Sequence, residues 1–211
     1  MNKKVELINK SIGAALLISL GDYALLKLGE PFGPILFALG LLGVCYMGLN
    51  LFTGKCGFLF ADKIKITDLA LILIVNLIAG YLIGLAFSVC DTTVFDNAVL
   101  KVSTWEVSMA FFIKSILCGI IMYIAVYMYR KGTPLGIIFG IPLFIFCGFQ
   151  HCIANIITLG VARTFDISIF TCILGNFIGS IIMWYLSKDI EIDKIERRKK
   201  WNILKFYYLF Y

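Results

Sequence analysis

Charge is scarce in this sequence. Asp, Glu, Lys and Arg make up 15% of its 211 residues, where a soluble domain carries about a quarter. Hydrophobic residues reach 61% and mean hydropathy is +0.94. An integral membrane protein is expected, and no polar linker divides the apolar segments into separate domains. Histidine occurs once. His151 lies between Cys147 and Cys152, but there is no CxxC pair, second histidine or nearby carboxylate, so no metal site is expected. No cofactor is expected either. The seven cysteines read as small buried filler. GxSxG and HExxH are absent, which argues against an intramembrane enzyme with Cys147 or Cys152 as nucleophile. The net charge of +6 is no nucleic-acid signal, because the basic residues flank the apolar runs instead of sharing a polar face.

What is present is long apolar runs. A membrane span needs roughly 20 mostly apolar residues, and six such segments can be drawn: about 11–28, 32–52, 66–90, 107–129, 134–160 and 166–187. The first of them, following Met1-Asn2-Lys3-Lys4, is long enough to remain as a helix rather than a cleaved leader. Residues 1–187 read as one channel-sized membrane domain and 188–211 as a basic, aromatic tail lying on anionic lipid. With the N-terminus inside, 15 of the 19 Lys and Arg residues fall on the cytoplasmic side, so both termini are expected there. Asp22 and Lys27 read as a surface pair near the headgroups. Cys90 to Glu106 reads as the longest external loop, and Lys114 as a residue that snorkels to the outer surface.

One stretch organises the rest: Gly148-Phe149-Gln150-His151-Cys152-Ile153-Ala154-Asn155, set between two apolar runs. Polar groups at bilayer depth cost about 2–3 kcal/mol each and mark a path or a site. A helix broken at His151 and lining a pore is therefore expected. The second segment weakens in the same way over Gly48-Leu49-Asn50-Leu51-Phe52-Thr53-Gly54. Paired interruptions at corresponding places point to a site between inverted repeats. Asn76 lies 23 residues after Thr53, and Asn176 lies 25 after His151. Both open Asn-apolar-Ile-small runs, about 100 residues apart. Two halves, about 11–90 and 107–187, with three helices each, would lie in opposite orientations. The expected fold is all-α, with six transmembrane helices as an inverted 3+3 repeat and helices 2 and 5 interrupted.

Leu51-Phe52-Thr53-Gly54, Lys101-Val102, Ile116-Leu117-Cys118, the stretch from Gly148 to Asn155, and Gly175-Asn176 together resemble the formate/nitrite transporter family, over about residues 9–187. The resemblance implies an aquaporin-like protomer in a homopentamer, with a pore in each protomer for a small monovalent anion such as formate, nitrite or hydrosulfide. It places the pore histidine on His151, the loop threonine on Thr53, the outer-vestibule lysine on Lys101 and the helix-6 asparagine on Asn176. It puts cytoplasmic-side constriction residues on Phe37, Leu41 and Phe144, and loop-side ones on Leu51 and Phe52. The chain departs from the family pattern at Gln150, where Glu is common, and at Gly119, where Asn is common. Its loops and N-terminus are also short. A multi-pass bacterial inner-membrane protein is implied.

A bare anion loses its hydration shell at an apolar constriction, whereas a neutral acid of the same size loses far less. One histidine between apolar rings therefore suits a weak acid that crosses with a proton, with Lys101 steering the anion to the mouth. Thr53 would bond the substrate or fix the imidazole tautomer. The rivals are a neutral-solute pore, an intramembrane enzyme and a purely structural subunit. The first lacks its paired Asn-Pro-Ala signatures, since no proline follows these asparagines.

Overall fold

The structure, a computed structural model, describes residues 2–188. Apart from Lys188, the tail expected over 188–211 lies outside the described residues. The chain runs through α1 (Lys3–Leu28), α2 (Phe32–Tyr46), the short α3 (Phe52–Lys55) with a 3-10 turn at Cys56–Phe58, α4 (Ile66–Cys90), α5 (Thr92–Ser103), α6 (Met109–Arg130), α7 (Leu135–Phe146) and α8 (Cys152–Val161). The last helix among the described residues, α9, covers Ser168–Lys188. No strand occurs among the described residues.

Four helices, α1, α4, α6 and α9, are long and apolar enough to cross a membrane, while α2, α7 and α8 are shorter apolar helices. Their outward faces are apolar too. Leu39, Ile78, Leu82, Phe139 and Phe170 are all exposed, as a bilayer solvent permits and water does not. The interior holds the polar groups instead: Asp22, Asn76, His151, Asn155 and Asn176 are buried.

Small residues let these helices approach closely. A methyl group added at Gly119 of α6 would overlap the Asn176 carbonyl oxygen of α9. This close backbone approach gives the Gly119 departure a packing cause. Elsewhere α1 packs on α2 and α4, α4 on α8, and α6 on α7.

One expectation is overturned outright. The stretch read as an external loop is helical over Thr92–Ser103. Asp91 caps it, its carboxylate accepting from the Thr93 and Val94 amides at 3.0 and 3.4 Å. Val94 and Ala98, one turn apart, are both fully buried. A cap plus a four-residue apolar repeat was therefore present in the sequence.

Candidate functional site

Residues 47–51 leave α2 and lead into α3, and residues 147–151 leave α7 and lead into α8. Each segment turns on a glycine with positive φ, +62° at Gly48 and +64° at Gly148, a conformation that other residues resist. Each turn is closed by the same bond, Leu49 N–H to the Val44 carbonyl and Phe149 N–H to the Phe144 carbonyl, both 2.9 Å.

An asparagine then holds each segment from behind. The Asn76 side-chain oxygen accepts from Phe52 N–H at 2.8 Å. Its NH₂ group donates to the carbonyls of Ser11 at 2.8 Å and Asn50 at 3.1 Å. Asn176 repeats the scheme: it accepts from Cys152 N–H at 2.8 Å and donates to the Ser115 and Gln150 carbonyls at 2.8 Å. Non-helical backbone away from water must find such partners, because an orphaned polar group there is costly.

The two segments meet at their polar residues. His151 Nε2 lies 2.8 Å from Thr53 Oγ1. His151 Nδ1 accepts from Ala154 N–H at 3.1 Å, so the imidazole is itself the N-cap of α8. An accepting Nδ1 leaves the proton of a neutral ring on Nε2, which then donates to Thr53. The ring lies against Phe144 with centroids 5.8 Å apart, and Phe144 meets Phe37 edge-on at 6.0 Å.

Two cavities approach this contact from opposite mouths. One, of about 370 Å³, is lined by Lys101, Asn97, Glu30, Gln150, Asn155, Phe37, Phe144 and His151, among others. The other, of about 120 Å³, is lined by Leu41, Val44, Leu51, Lys55, Tyr129 and Arg130, among others. The first cavity reaches Phe37 in the first half of α2, and the second reaches Leu41 and Val44 further along the same helix.

The residues singled out in the sequence are thus sorted. His151, Lys101, Phe37 and Phe144 border the larger cavity; Leu41 and Leu51 border the smaller. Phe37 and Phe144 were expected to share one cytoplasmic-side constriction with Leu41. Phe37 and Phe144 line the larger cavity, while Leu41, one helical turn further along α2, lines the smaller, and all three belong to one buried cluster. Thr53 and Phe52 sit buried between the cavities. Asn176 is fully buried with its amide engaged by backbone, so it braces the segment. Asp22 was missed. Instead of pairing with Lys27 at the surface, it is completely buried and lies 3.8 Å from Lys101, while Lys27 pairs with Asp91 at 2.7 Å. No local pattern in the sequence pairs residues 22 and 101.

Buried polar residues joined between opposed cavities, inside a helical bundle with an apolar exterior, define a membrane transport protein. Residues 4–187 match the profile of the formate/nitrite transporter family, and the chain belongs to that family, whose members are channels and transporters, not enzymes. It is 28% identical over 202 residues to YrhG of Bacillus subtilis (strain 168), named an uncharacterized transporter, covering 82% of this chain and 76% of that one. Its fold is similar to two solved structures. An FNT family ion channel superposes with a TM-score of 0.69 at 22% identity, over 87% of each chain. A pentameric formate channel with formate bound gives 0.71 at 17% identity, over 93% of this chain and 99% of that one.

Proposed function

We propose that the protein conducts a small monovalent weak acid across the membrane, formate before nitrite and hydrosulfide, in company with a proton. The observation that carries this reading is the 2.8 Å contact between Thr53 and His151, set between two cavities and flanked by Phe37, Phe144, Leu41 and Leu51. A passage so apolar opposes a bare anion and admits the neutral acid. Thr53, whose hydroxyl oxygen accepts from His151 Nε2–H, keeps its own proton to offer the substrate, and Lys101 draws the anion into the wider mouth. The matching bonds of Asn76 and Asn176 support an inverted 3+3 repeat over residues 11–90 and 107–187 within a single channel domain, 1–187, with α2–α3 and α7–α8 as its interrupted spans. The Lys and Arg distribution supports a bacterial inner-membrane protein with both termini in the cytoplasm. Likeness to a pentameric channel supports a homopentamer.

The test is radiolabelled formate uptake into proteoliposomes, competed by nitrite and by sulfide across pH. Uptake is expected to rise as external pH falls. His151→Asn keeps an acceptor for the Ala154 amide but removes the imidazole, and its transport–pH curve is expected to shift. A curve that overlays the wild type would remove His151 from the proton step. Glycerol-driven swelling of the same vesicles would favour a neutral-solute pore.

A further inference from the structure

Asp22 is fully buried in α1. Its Oδ2 accepts from Thr158 Oγ1 at 2.9 Å, while Oδ1 has no hydrogen-bond partner. What faces Oδ1 is the Lys101 ammonium at 3.8 Å, too long for a hydrogen bond but close for two opposite charges. Lys101 is one-third exposed (34%) and lines the larger cavity, whereas Asp22 stands behind that cavity's wall. The carboxylate also reaches the helix that begins at His151. Thr158 shares its single hydroxyl proton with the Ala154 carbonyl, 3.1 Å away, and Ala154 N–H is the amide capped by His151. Asp22 thus touches α5 and α8 at once. Lys27, the other cation nearby on α1, is engaged by Asp91.

We propose that Asp22 is a positioning residue for Lys101, holding its ammonium at the cavity wall and lessening the positive charge that this mouth offers an anion. A conducting site must attract its ion enough to enter yet release it onward. An uncompensated lysine would hold the anion too long; a lysine shared with a buried carboxylate holds it loosely. The inference rests on the anion-transport reading given above, and its test has one arm that does not.

In the assembled protein, the rate at which an amine-acylating reagent modifies Lys101 is followed by mass spectrometry, for wild type and Asp22→Asn. The amide keeps the shape and an acceptor for Thr158 but removes the charge. Labelling of Lys101 is expected to quicken severalfold, because an ammonium no longer held against the buried carboxylate at 3.8 Å swings freely into the cavity to meet the reagent. In proteoliposomes, Asp22→Asn is expected to lower the KM for formate by about fivefold, and to have no such effect in a Lys101→Met background. Should the amide variant fail to assemble, Asp22→Ser gives the same comparison. An unchanged Lys101 labelling rate, or an equal KM shift with and without Lys101, overturns the inference. If the wild type takes up neither formate, nitrite nor hydrosulfide, the transport reading fails, while the labelling arm still decides whether Asp22 holds Lys101.

Discussion

At the scale of single residues, the buried amides do more for the site than their distance from the cavities suggests. Asn176 satisfies one N–H and two carbonyls with one side chain. Asn176→Ala would orphan all three in a region without water. With each loss costing on the order of 1–3 kcal/mol, the variant is expected to lose about 3 kcal/mol or more. Asn176→Asp is expected to fare no better, because a carboxylate can accept from Cys152 N–H but has nothing to donate to the Ser115 and Gln150 carbonyls. Thermal unfolding in detergent reads both; melting at the wild-type temperature would show that the segment holds without its bracket. His151 and Thr53 were legible in the sequence because polar residues inside long apolar runs stand out. Asp22 was not, because its meaning depends on Lys101, 79 positions away, and a carboxylate near a helix end has an ordinary surface explanation.

At the scale of elements, two kinds of glycine must be kept apart. Gly148 is needed for its φ of +64°; a Cβ there would meet only the Lys114 ammonium, at 3.9 Å. Gly119 is helical and is needed for its missing side chain, since a Cβ would overlap the Asn176 carbonyl. Gly148→Ala is therefore expected to cost about 1–2 kcal/mol, the penalty of a left-handed backbone alone. Gly119→Ala is expected to cost more, about 3 kcal/mol, because α6 and α9 must separate. Equal losses in unfolding experiments would mean that the α6–α9 contact is looser than described. The same distinction explains what the sequence conveyed about the helices. The turns at Gly48 and Gly148 were visible as clusters of Gly, Asn, Thr and Gln that no apolar helix needs. The α5 helix was obscured because Asp91, Asp96, Lys101 and Glu106 gave its stretch the charge of a loop. The buried spacing of Val94 and Ala98 is a signal of only two residues.

At the scale of the whole molecule, the apolar exterior is indifferent to pH, and the ion pairs that tie helix ends together are not. Lys27 reaches Asp91 at 2.7 Å, tying the end of α1 to the α4–α5 junction. Arg130 grips Asp62 through two bonds, 2.9 and 2.6 Å, tying the end of α6 to the turn before α4. The hydrogen bond from Lys27, with that from Tyr23, holds the Asp91 carboxyl down at about 2; the Arg130 guanidinium likewise holds Asp62 below the usual aspartate range. An unfolded aspartate titrates near about 3.9. A carboxylate depressed by folding contributes its stability in full above that value and loses it as pH falls toward the folded-state value. Stability in detergent is therefore expected to be level above about pH 5 and to decline between about pH 4 and 2. Asp91→Asn and Asp62→Asn should each flatten that decline from its upper end, since both carboxylates begin to lose their contribution as pH falls through the unfolded-state value. The two effects should add, because the pairs share no partner. An acid limb that neither substitution alters would place the pH sensitivity in other groups, and these helix ends would then be held together by packing alone.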